Sequence, residues 1–285
     1  MNGHFTHIDS IQQLLADALR EDIGGGDITT LSVIPEGTEA TGSLIVKEDG
    51  VLCGVEIIER VYGLLGGGVT VSLYKKDGDL LVKGDVIADL GGDARTLLSG
   101  ERVILNVMQH MSGIATSTKR AVCAVAGTSA RIVDTRKTTP LMRQLEKYAV
   151  RVGGGSNHRF ALYDGVLIKD NHIAAAGGIT NAVRAAKAMA PHTIKIEVEV
   201  ETVEQAMEAL ESGADIIMLD NMDEPTMKHC VELIGGRALT EASGNMGQRD
   251  LLSVAKTGVD LISIGALTHS VKALDISLKF KVKHQ

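Results

Sequence analysis

The chain has 285 residues, 44% of them hydrophobic, which is enough to bury one barrel or a barrel with a smaller domain. Its net charge of −7 argues against a nucleic-acid or anionic-membrane surface, so an anionic ligand would need a local basic pocket. Three widely spaced cysteines match neither a disulfide framework nor a zinc site, and no signal peptide or membrane-spanning run is recognisable, so we expect a cytoplasmic protein.

The first part of the chain predicts helices around a sheet. Apolar residues at helical spacing predict an amphipathic helix over His7 to Asp22, with Gly24 as its stop. Short β-like runs with DG and GD turns predict an open antiparallel sheet between Thr41 and Asp89. Residues Ser99 to Ala126 predict one or two long helices, with Gly113 as the expected break.

After Ala130, apolar runs that end in polar clusters alternate with helix-patterned segments. The runs are RIVDTRK, GVLIKDN, IKIEVEV, DIIMLDN, RALTEASG and DLISIGA. Consecutive βα repeats predict a parallel sheet, closed into a (β/α) barrel. Chemistry in such barrels lies where strands end. This rule selects Arg136, Lys137, Lys169, Asp170, Asn171, Glu199, Asp220, Asn221, Glu241, Ser243 and the Ser263-Ile264-Gly265 turn.

Basic residues concentrate between Asp134 and Ile173, in a chain that is acidic elsewhere. Arg136 and Lys137 end a predicted strand. Thr139-Pro140 predicts the start of a helix over Leu141 to Val150, whose dipole would add positive potential. Two adjacent basic residues are commonly a solvated loop pair, but the strand end and the cap favour a phosphate or carboxylate site.

The segment after this helix offers further donors. Gly153 to Gly155 would end the helix and let the backbone approach a ligand, or form a simple turn. Arg159 could bind a carboxylate through two hydrogen bonds, whereas His158 could equally be a ligand contact or a structural residue. Lys169 ends an apolar run, where a charge is costly without an anion; a Schiff-base role is the competing reading.

Carboxylates follow two later strands. Lys195, Glu197, Glu199 and Glu201 alternate with apolar residues and would share one face, where they need partners or a metal if that face is interior. At least one is expected to be a plain salt-bridge former. Glu199 and Asp220 could hold sugar hydroxyls directly or through Mg²⁺. No His/Cys group indicates a transition metal.

The last two strand ends predict a phosphate site made of small side chains and backbone amides, although simple turns would have the same composition. The residues are Ser243, Gly244, Asn245, Ile264, Gly265 and Ala266. His269, just beyond them, could contact the phosphate or cap the segment in which the chain turns back.

Taken in order, these motifs closely resemble the quinolinate phosphoribosyltransferase family, also called carboxylating nicotinate-nucleotide diphosphorylase. The resemblance rests on EDIGGGDITT, ERVILNVMQHMSGIAT, DTRKTTP, GGGSNHR, LIKDNHI, KIEVEVE, IMLDN, EASGN and SIGALTHS, which span nearly the whole chain. Ala161 and Asn245 stand where the family often has glycine.

The resemblance implies an N-terminal α+β open sandwich, residues 1–112 with 271–285 packing back on it, and a seven-stranded, incomplete α/β barrel, residues 113–270. It implies transfer of phosphoribosyl from phosphoribosyl pyrophosphate to quinolinate with decarboxylation, in a homodimer or hexamer.

The resemblance also implies residue roles. Lys137, Lys169, Glu199 and Asp220 would be catalytic, the last two also holding Mg²⁺ and the ribose hydroxyls. The quinolinate carboxylates and pyrophosphate would be bound by Thr135, Arg136, Lys137, His158, Arg159 and Lys169. The 5-phosphate would lie on Ser243, Gly244, Asn245, Ile264, Gly265, Ala266 and His269. Arg102 would reach into the partner subunit's site.

Three alternatives remain open from the sequence. A related ModD-like phosphoribosyltransferase acting on another base would share this framework, although the full set of cations favours a dianionic substrate. A barrel lyase using Lys169 as a Schiff base is a second enzyme class. A non-catalytic sensor of phosphorylated metabolites is the binding-protein alternative, disfavoured by the paired carboxylates.

Overall fold

The structure is a computed structural model that describes residues 8–282. Contacts divide the chain into two compact units. The first contains the described residues up to Lys119, Thr139–Gly154 and those from Val271 onward; the second contains Arg120–Thr138 and Gly155–Ser270. The units are therefore interleaved along the sequence, since the first is made of three segments and the second of two. Among the described residues, no helix has the length and apolar character needed to cross a membrane.

The first unit contains the predicted antiparallel sheet. Alternate residues of Glu39–Val46 are buried, as expected for a strand with one face on a core. This strand pairs with Val86–Asp93 on one side and with the C-terminal strand Ile276–Val282 on the other. Thr70–Leu73 completes the four-stranded sheet, and Gly50–Val51 pairs separately with Leu80–Leu81.

Five helices of the first unit are described: Ile8–Ile23, Ile28–Val33, Glu56–Leu64, Ala94–Ala124 and Arg143–Val152. The first confirms the predicted amphipathic helix, with Ile11, Leu15 and Leu19 buried and Gly24 following its end at a φ of 53°. His7, the first residue of that prediction, lies outside the described residues.

The predicted break at Gly113 is wrong, because Ala94–Ala124 is one continuous helix. A Cβ atom at Gly113 would lie 2.2 Å from the Lys272 carbonyl oxygen. The glycine therefore allows the segment leading to the C-terminal strand to pass close to the helix. Close approach of two backbones explains this residue, and helix termination does not.

The helix predicted over Leu141 to Val150 begins instead at Arg143, and Thr139-Pro140 does not cap it. Leu141 has a φ of 67°, which a right-handed helix does not allow. The Thr139 amide donates to the buried Glu146 carboxylate at 3.1 Å, and Glu146 also bonds His110 Nε2 at 2.8 Å. The helix belongs to the first unit.

The second unit is an incomplete (β/α) barrel built on a parallel sheet. All six predicted apolar runs form strands. Their order across the sheet is Arg131–Val133, Leu261–Ser263, Leu239–Ser243, Ile216–Asp220, Ile196–Val200 and Val166–Ile168. The resemblance implied seven strands; in the described part of the chain the seventh position is reduced to a single parallel bridge between Ser156 and Val133.

Helices follow the strands and cover one face of the sheet. They are Asp170–Ala176, Ile179–Met189, Val203–Glu211, Glu224–Ile234, Leu251–Ala255 and Ala266–His269, with a 3₁₀ turn at Met246–Gln248. Strand residues such as Val198, Ile217 and Ala242 pack in the core with these helices. Because strand side chains alternate, the residues between them point to the opposite face. Glu197, Glu199 and Glu241 therefore face the barrel interior.

Candidate active site

The carboxyl ends of the barrel strands surround a cavity of about 710 Å³, which lies entirely within the second unit. Its lining includes all the residues to which the resemblance gives a role, except Arg102 and Ile264. Asp170 and Asn171, which the strand-end rule also selected, do not line it. The cavity residues are Thr135, Arg136, Lys137, His158, Arg159, Leu167, Lys169, Glu199, Met218, Asp220, Asn221, Glu241, Ser243, Gly244, Asn245, Met246, Gly247, Gln248, Ser263, Gly265, Ala266, His269 and Ser270.

Arg159 is held by the protein but keeps a donor for a ligand. Its Nη1 donates to the Gly165 carbonyl at 2.7 Å, which fixes the guanidinium plane. Its Nε is buried and has no hydrogen-bond partner among residues 8–282. Burial, and next the charge of Arg136, lower the pKa of Arg159. A buried donor beside a like charge indicates a site that binds an anion.

Lys169 follows Val166–Ile168, as predicted, and forms an ion pair with Glu199. The lysine side chain is 45% exposed and the glutamate side chain 15%. Asp220 accepts a hydrogen bond from the Asn221 side chain at 2.7 Å. The predicted carboxylates thus lie at the same cavity as the cations, and Lys169 has a carboxylate partner before any ligand binds.

Three buried acids lie beneath the site, and of these only Glu241 was among the residues that the strand-end rule selected. Asp134 accepts from the His158 amide at 2.9 Å and from the Asn157 side chain at 2.6 Å, which shapes the turn after the glycine run. Glu197 and Glu241 are buried on the interior face of their strands. The alternation around Glu197 and the strand-end position of Glu241 were visible in the sequence, but their depth was not.

His158 contacts these buried acids, as the structural alternative for this residue predicted, and its role as a carboxylate ligand stays a prediction. Its Nε2 lies 3.0 Å from Glu197 Oε2, and its Nδ1 accepts a hydrogen bond from the Arg159 amide at 2.7 Å. Both ring nitrogens therefore have partners inside the protein, although the ring lines the cavity.

Backbone geometry explains the small residues at the last strand ends. At Gly244, which has a φ of 93°, a Cβ atom would lie 2.2 Å from Asn221 Oδ1. At Gly265 it would lie 3.1 Å from Lys137 Cδ. The Thr268 hydroxyl donates to the Lys137 carbonyl at 2.8 Å, which ties the last short helix to the first strand's loop.

Two predicted residues are placed elsewhere. The side chain of Ile264 is buried, and its amide donates to the Val133 carbonyl at 3.0 Å, while the phosphate contact implied for this residue stays a prediction. Arg102 lies in the helix Ala94–Ala124 of the first unit and does not line the cavity of the second.

Comparison with known proteins identifies the family to which this site belongs. The model described as "Quinolinate phosphoribosyl transferase, C-terminal domain" matches residues 114–279, and that of the N-terminal domain matches residues 27–112. The chain belongs to the quinolinate phosphoribosyltransferase family.

Members of the quinolinate phosphoribosyltransferase family align over nearly the whole chain. A Bacillus subtilis protein named "Probable nicotinate-nucleotide pyrophosphorylase [carboxylating]" is 49% identical over 275 residues, covering 96% of this chain and 95% of that protein. The crystal structure of NadC from Streptococcus pyogenes has a TM-score of 0.92 at 43% identity and covers 99% of this chain and 100% of its own. The nicotinate-nucleotide pyrophosphorylase structure from Francisella tularensis has a TM-score of 0.93 at 38% identity, over 97% and 98% of the two chains.

Proposed function

We propose that this protein transfers phosphoribosyl from phosphoribosyl pyrophosphate to quinolinate with decarboxylation, yielding nicotinate mononucleotide, pyrophosphate and CO₂ in NAD biosynthesis. The observation that carries the proposal is one cavity in which four cations, Arg136, Lys137, Arg159 and Lys169, meet the carboxylates Glu199 and Asp220. Family membership supports the same reaction. The cation set suits two carboxylates and a pyrophosphate, and the acids suit a ribose.

The first chemical step needs positioning more than acid or base catalysis. The pyridine nitrogen of quinolinate has a lone pair and attacks C1 of the sugar, while pyrophosphate leaves through an oxocarbenium-like transition state. Arg136 and Arg159 orient the ring carboxylates so that the nitrogen faces C1. The cations also stabilise the charge that develops on the leaving group, at no cost in reorganisation.

Decarboxylation follows from the charge on the new pyridinium. Loss of CO₂ from the 2-position leaves an electron pair on C2 that the adjacent positive nitrogen stabilises, and a proton from the solvent then bonds to C2 to give nicotinate mononucleotide. Lys137 and Lys169 are the candidates to orient the departing carboxylate, since both line the cavity as flexible point charges. The product's 5-phosphate lies on the Ser243 to Asn245 turn and the Gly265-Ala266 turn.

Glu199 and Asp220 fit Mg²⁺ in their chemistry. Both offer hard carboxylate oxygens at strand ends in the cavity, and magnesium prefers one or two such groups together with substrate phosphates. When bound, the ion would neutralise pyrophosphate charge. The Lys169–Glu199 ion pair keeps this carboxylate in place before the ion and substrate arrive.

We also place the protein in the cytoplasm as a homodimer or hexamer, with Arg102 donated across an interface. Three free cysteines suit a reducing compartment, and Arg102 belongs to a motif that carries the family resemblance. The ModD-like alternative is not favoured by the names of the relatives.

Incubation with quinolinate, phosphoribosyl pyrophosphate and Mg²⁺ tests this function directly. We expect nicotinate mononucleotide, pyrophosphate and CO₂ in equal amounts. Borohydride trapping of the protein with carbonyl substrates is the control for a Schiff base on Lys169. A trapped adduct without nucleotide formation would replace the proposal with a lyase.

A further inference from the structure

A buried group of one histidine and two glutamates lies at the floor of the cavity. Glu197 and Glu241 are 3% and 0% exposed. His158 Nε2 lies 3.0 Å from Glu197 Oε2 and 3.8 Å from Glu241 Oε2. One ligand atom from each residue falls within 4.8 Å of the others, which is the spacing of a metal site. Several oxygens of the two acids are buried and accept no hydrogen bond of good geometry within residues 8–282.

The histidine tautomer excludes a metal ion at this group. The Arg159 amide donates to His158 Nδ1 at 2.7 Å, so Nδ1 presents its lone pair and carries no proton. A neutral histidine then holds its proton on Nε2, the atom that faces both glutamates. A metal bound through Nε2 would require the proton on Nδ1, where an amide hydrogen already points.

The buried acids also act on the arginines above them. The charge of Glu197 raises the pKa of Arg159, opposing the larger effects of burial and of Arg136, which lower it. Burial, and next the charge of Glu197, raise the pKa of Glu241 to about 7. Glu241 is therefore partly protonated near neutral pH, which lowers the negative charge that it places beside the arginines.

We propose that Glu197 and Glu241 are positioning residues, which hold His158 as its Nε2–H tautomer. Through the hydrogen bond from the Arg159 amide to His158 Nδ1, they also keep Arg159 in place for an anion. The effect on substrate rests on the proposed function, whereas the tautomer is a property of the protein alone.

The tautomer is tested by nitrogen NMR on the full chain with ¹⁵N-labelled histidine. Long-range ¹H–¹⁵N spectra at pH 7 distinguish the two neutral tautomers and the imidazolium, and a His158→Gln variant assigns the signal among nine histidines. We expect a neutral ring protonated on Nε2. A proton on Nδ1, or an imidazolium, would overturn the proposal.

Steady-state kinetics test the positioning role. In Glu197→Gln, which keeps the shape and removes the charge, we expect the KM for quinolinate to rise about tenfold or more, with a smaller change in kcat. Glu201→Gln, an exposed carboxylate just beyond the same strand, is the matched control and should leave both constants unchanged.

Three kinetic outcomes are distinguishable. A tenfold or greater loss of kcat in Glu197→Gln at unchanged KM would indicate a merely structural role and overturn the positioning role. Unchanged constants in a folded Glu197→Gln protein would overturn it as well. If the wild-type protein and the Glu201→Gln control also fail to turn over quinolinate, the proposed function fails, and the NMR result still decides the tautomer.

Discussion

Arg159 shows how a single residue links the fold to recognition. One nitrogen of its guanidinium is bound to the Gly165 carbonyl, and the buried Nε has no partner among the described residues. The planar guanidinium can donate hydrogen bonds to the backbone carbonyl and to a ligand at once, because its N–H groups point in fixed directions. A lysine has a single ammonium at this place and cannot do both.

Arg159→Lys should therefore weaken quinolinate binding by more than the retained positive charge suggests. We expect the KM for quinolinate to rise about tenfold to a hundredfold, the usual effect of losing a hydrogen bond to a charged group. Titration of quinolinate into the protein without the second substrate measures the affinity directly. Affinity equal to that of the wild type would remove Arg159 from the carboxylate site.

Glu241 should make stability depend on pH. Its pKa is raised from 4.5 to about 7 in the folded protein, so between these values the folded state keeps a proton that the unfolded chain has lost. Stability from this group is present at acid pH and declines as pH rises through that window, by about 3 kcal/mol.

The Glu241→Gln variant replaces the carboxyl group with an amide that does not titrate in this pH range, so it serves as the reference. The free energy of unfolding of the wild type, relative to Glu241→Gln, should fall between pH 4.5 and pH 7.5 and then level off. Urea unfolding followed by circular dichroism measures it, since the chain has no tryptophan. A difference that does not change with pH would mean that Glu241 titrates normally.

At the scale of elements, two helical glycines of this chain differ in the space around them. Gly113 lies within Ala94–Ala124, and a side chain there would meet the Lys272 carbonyl oxygen at 2.2 Å. Gly63 lies within Glu56–Leu64, and a side chain there would meet no atom within 4 Å. The sequence pattern treats both as weak helix positions, and only the packing separates them.

Alanine at the two positions should change stability in opposite directions. Gly113→Ala should lose about 2 kcal/mol, because the crowded backbone must shift, despite the better helix propensity of alanine. Gly63→Ala should gain about 0.5 to 1 kcal/mol from that propensity alone. Thermal unfolding compares the two variants. A stabilised Gly113→Ala protein would show that the close approach to Lys272 does not constrain the helix.

At the scale of the whole molecule, Arg102 makes the assembly part of the proposed site. If Arg102 is donated by the partner, mixing inactive Arg102→Ala and Lys169→Ala chains after unfolding should restore activity. If the two chains pair at random, about a quarter of all sites would contain both intact residues.

A second mixture controls for rescue by refolding alone. Lys169 and Glu199 belong to the cavity of the same chain, so a mixture of Lys169→Ala and Glu199→Gln chains contains no intact site in any combination. Rescue in both mixtures, or in neither, would contradict donation of Arg102 across the interface.

The sequence predicted the whole-molecule architecture well because it rests on local patterns. All six βα runs and the antiparallel sheet are confirmed, since period-two and helical spacing are written in consecutive residues. The strand-end rule likewise brought the cations, Glu199 and Asp220 to one cavity. The predictions that were wrong depend on contacts distant in sequence: Gly113 on Lys272 and the helix start on Glu146.

The specificity of the cavity for a second carboxylate is the central claim, and competition between two ring acids tests it most directly. The measurement is kcat/KM for quinolinate and for nicotinate, with phosphoribosyl pyrophosphate and Mg²⁺ at saturation. The four cations predict a preference for quinolinate of roughly a thousandfold or more, because nicotinate leaves buried donors unpaired. Equal values, or nucleotide formed from nicotinate and not from quinolinate, would contradict the account.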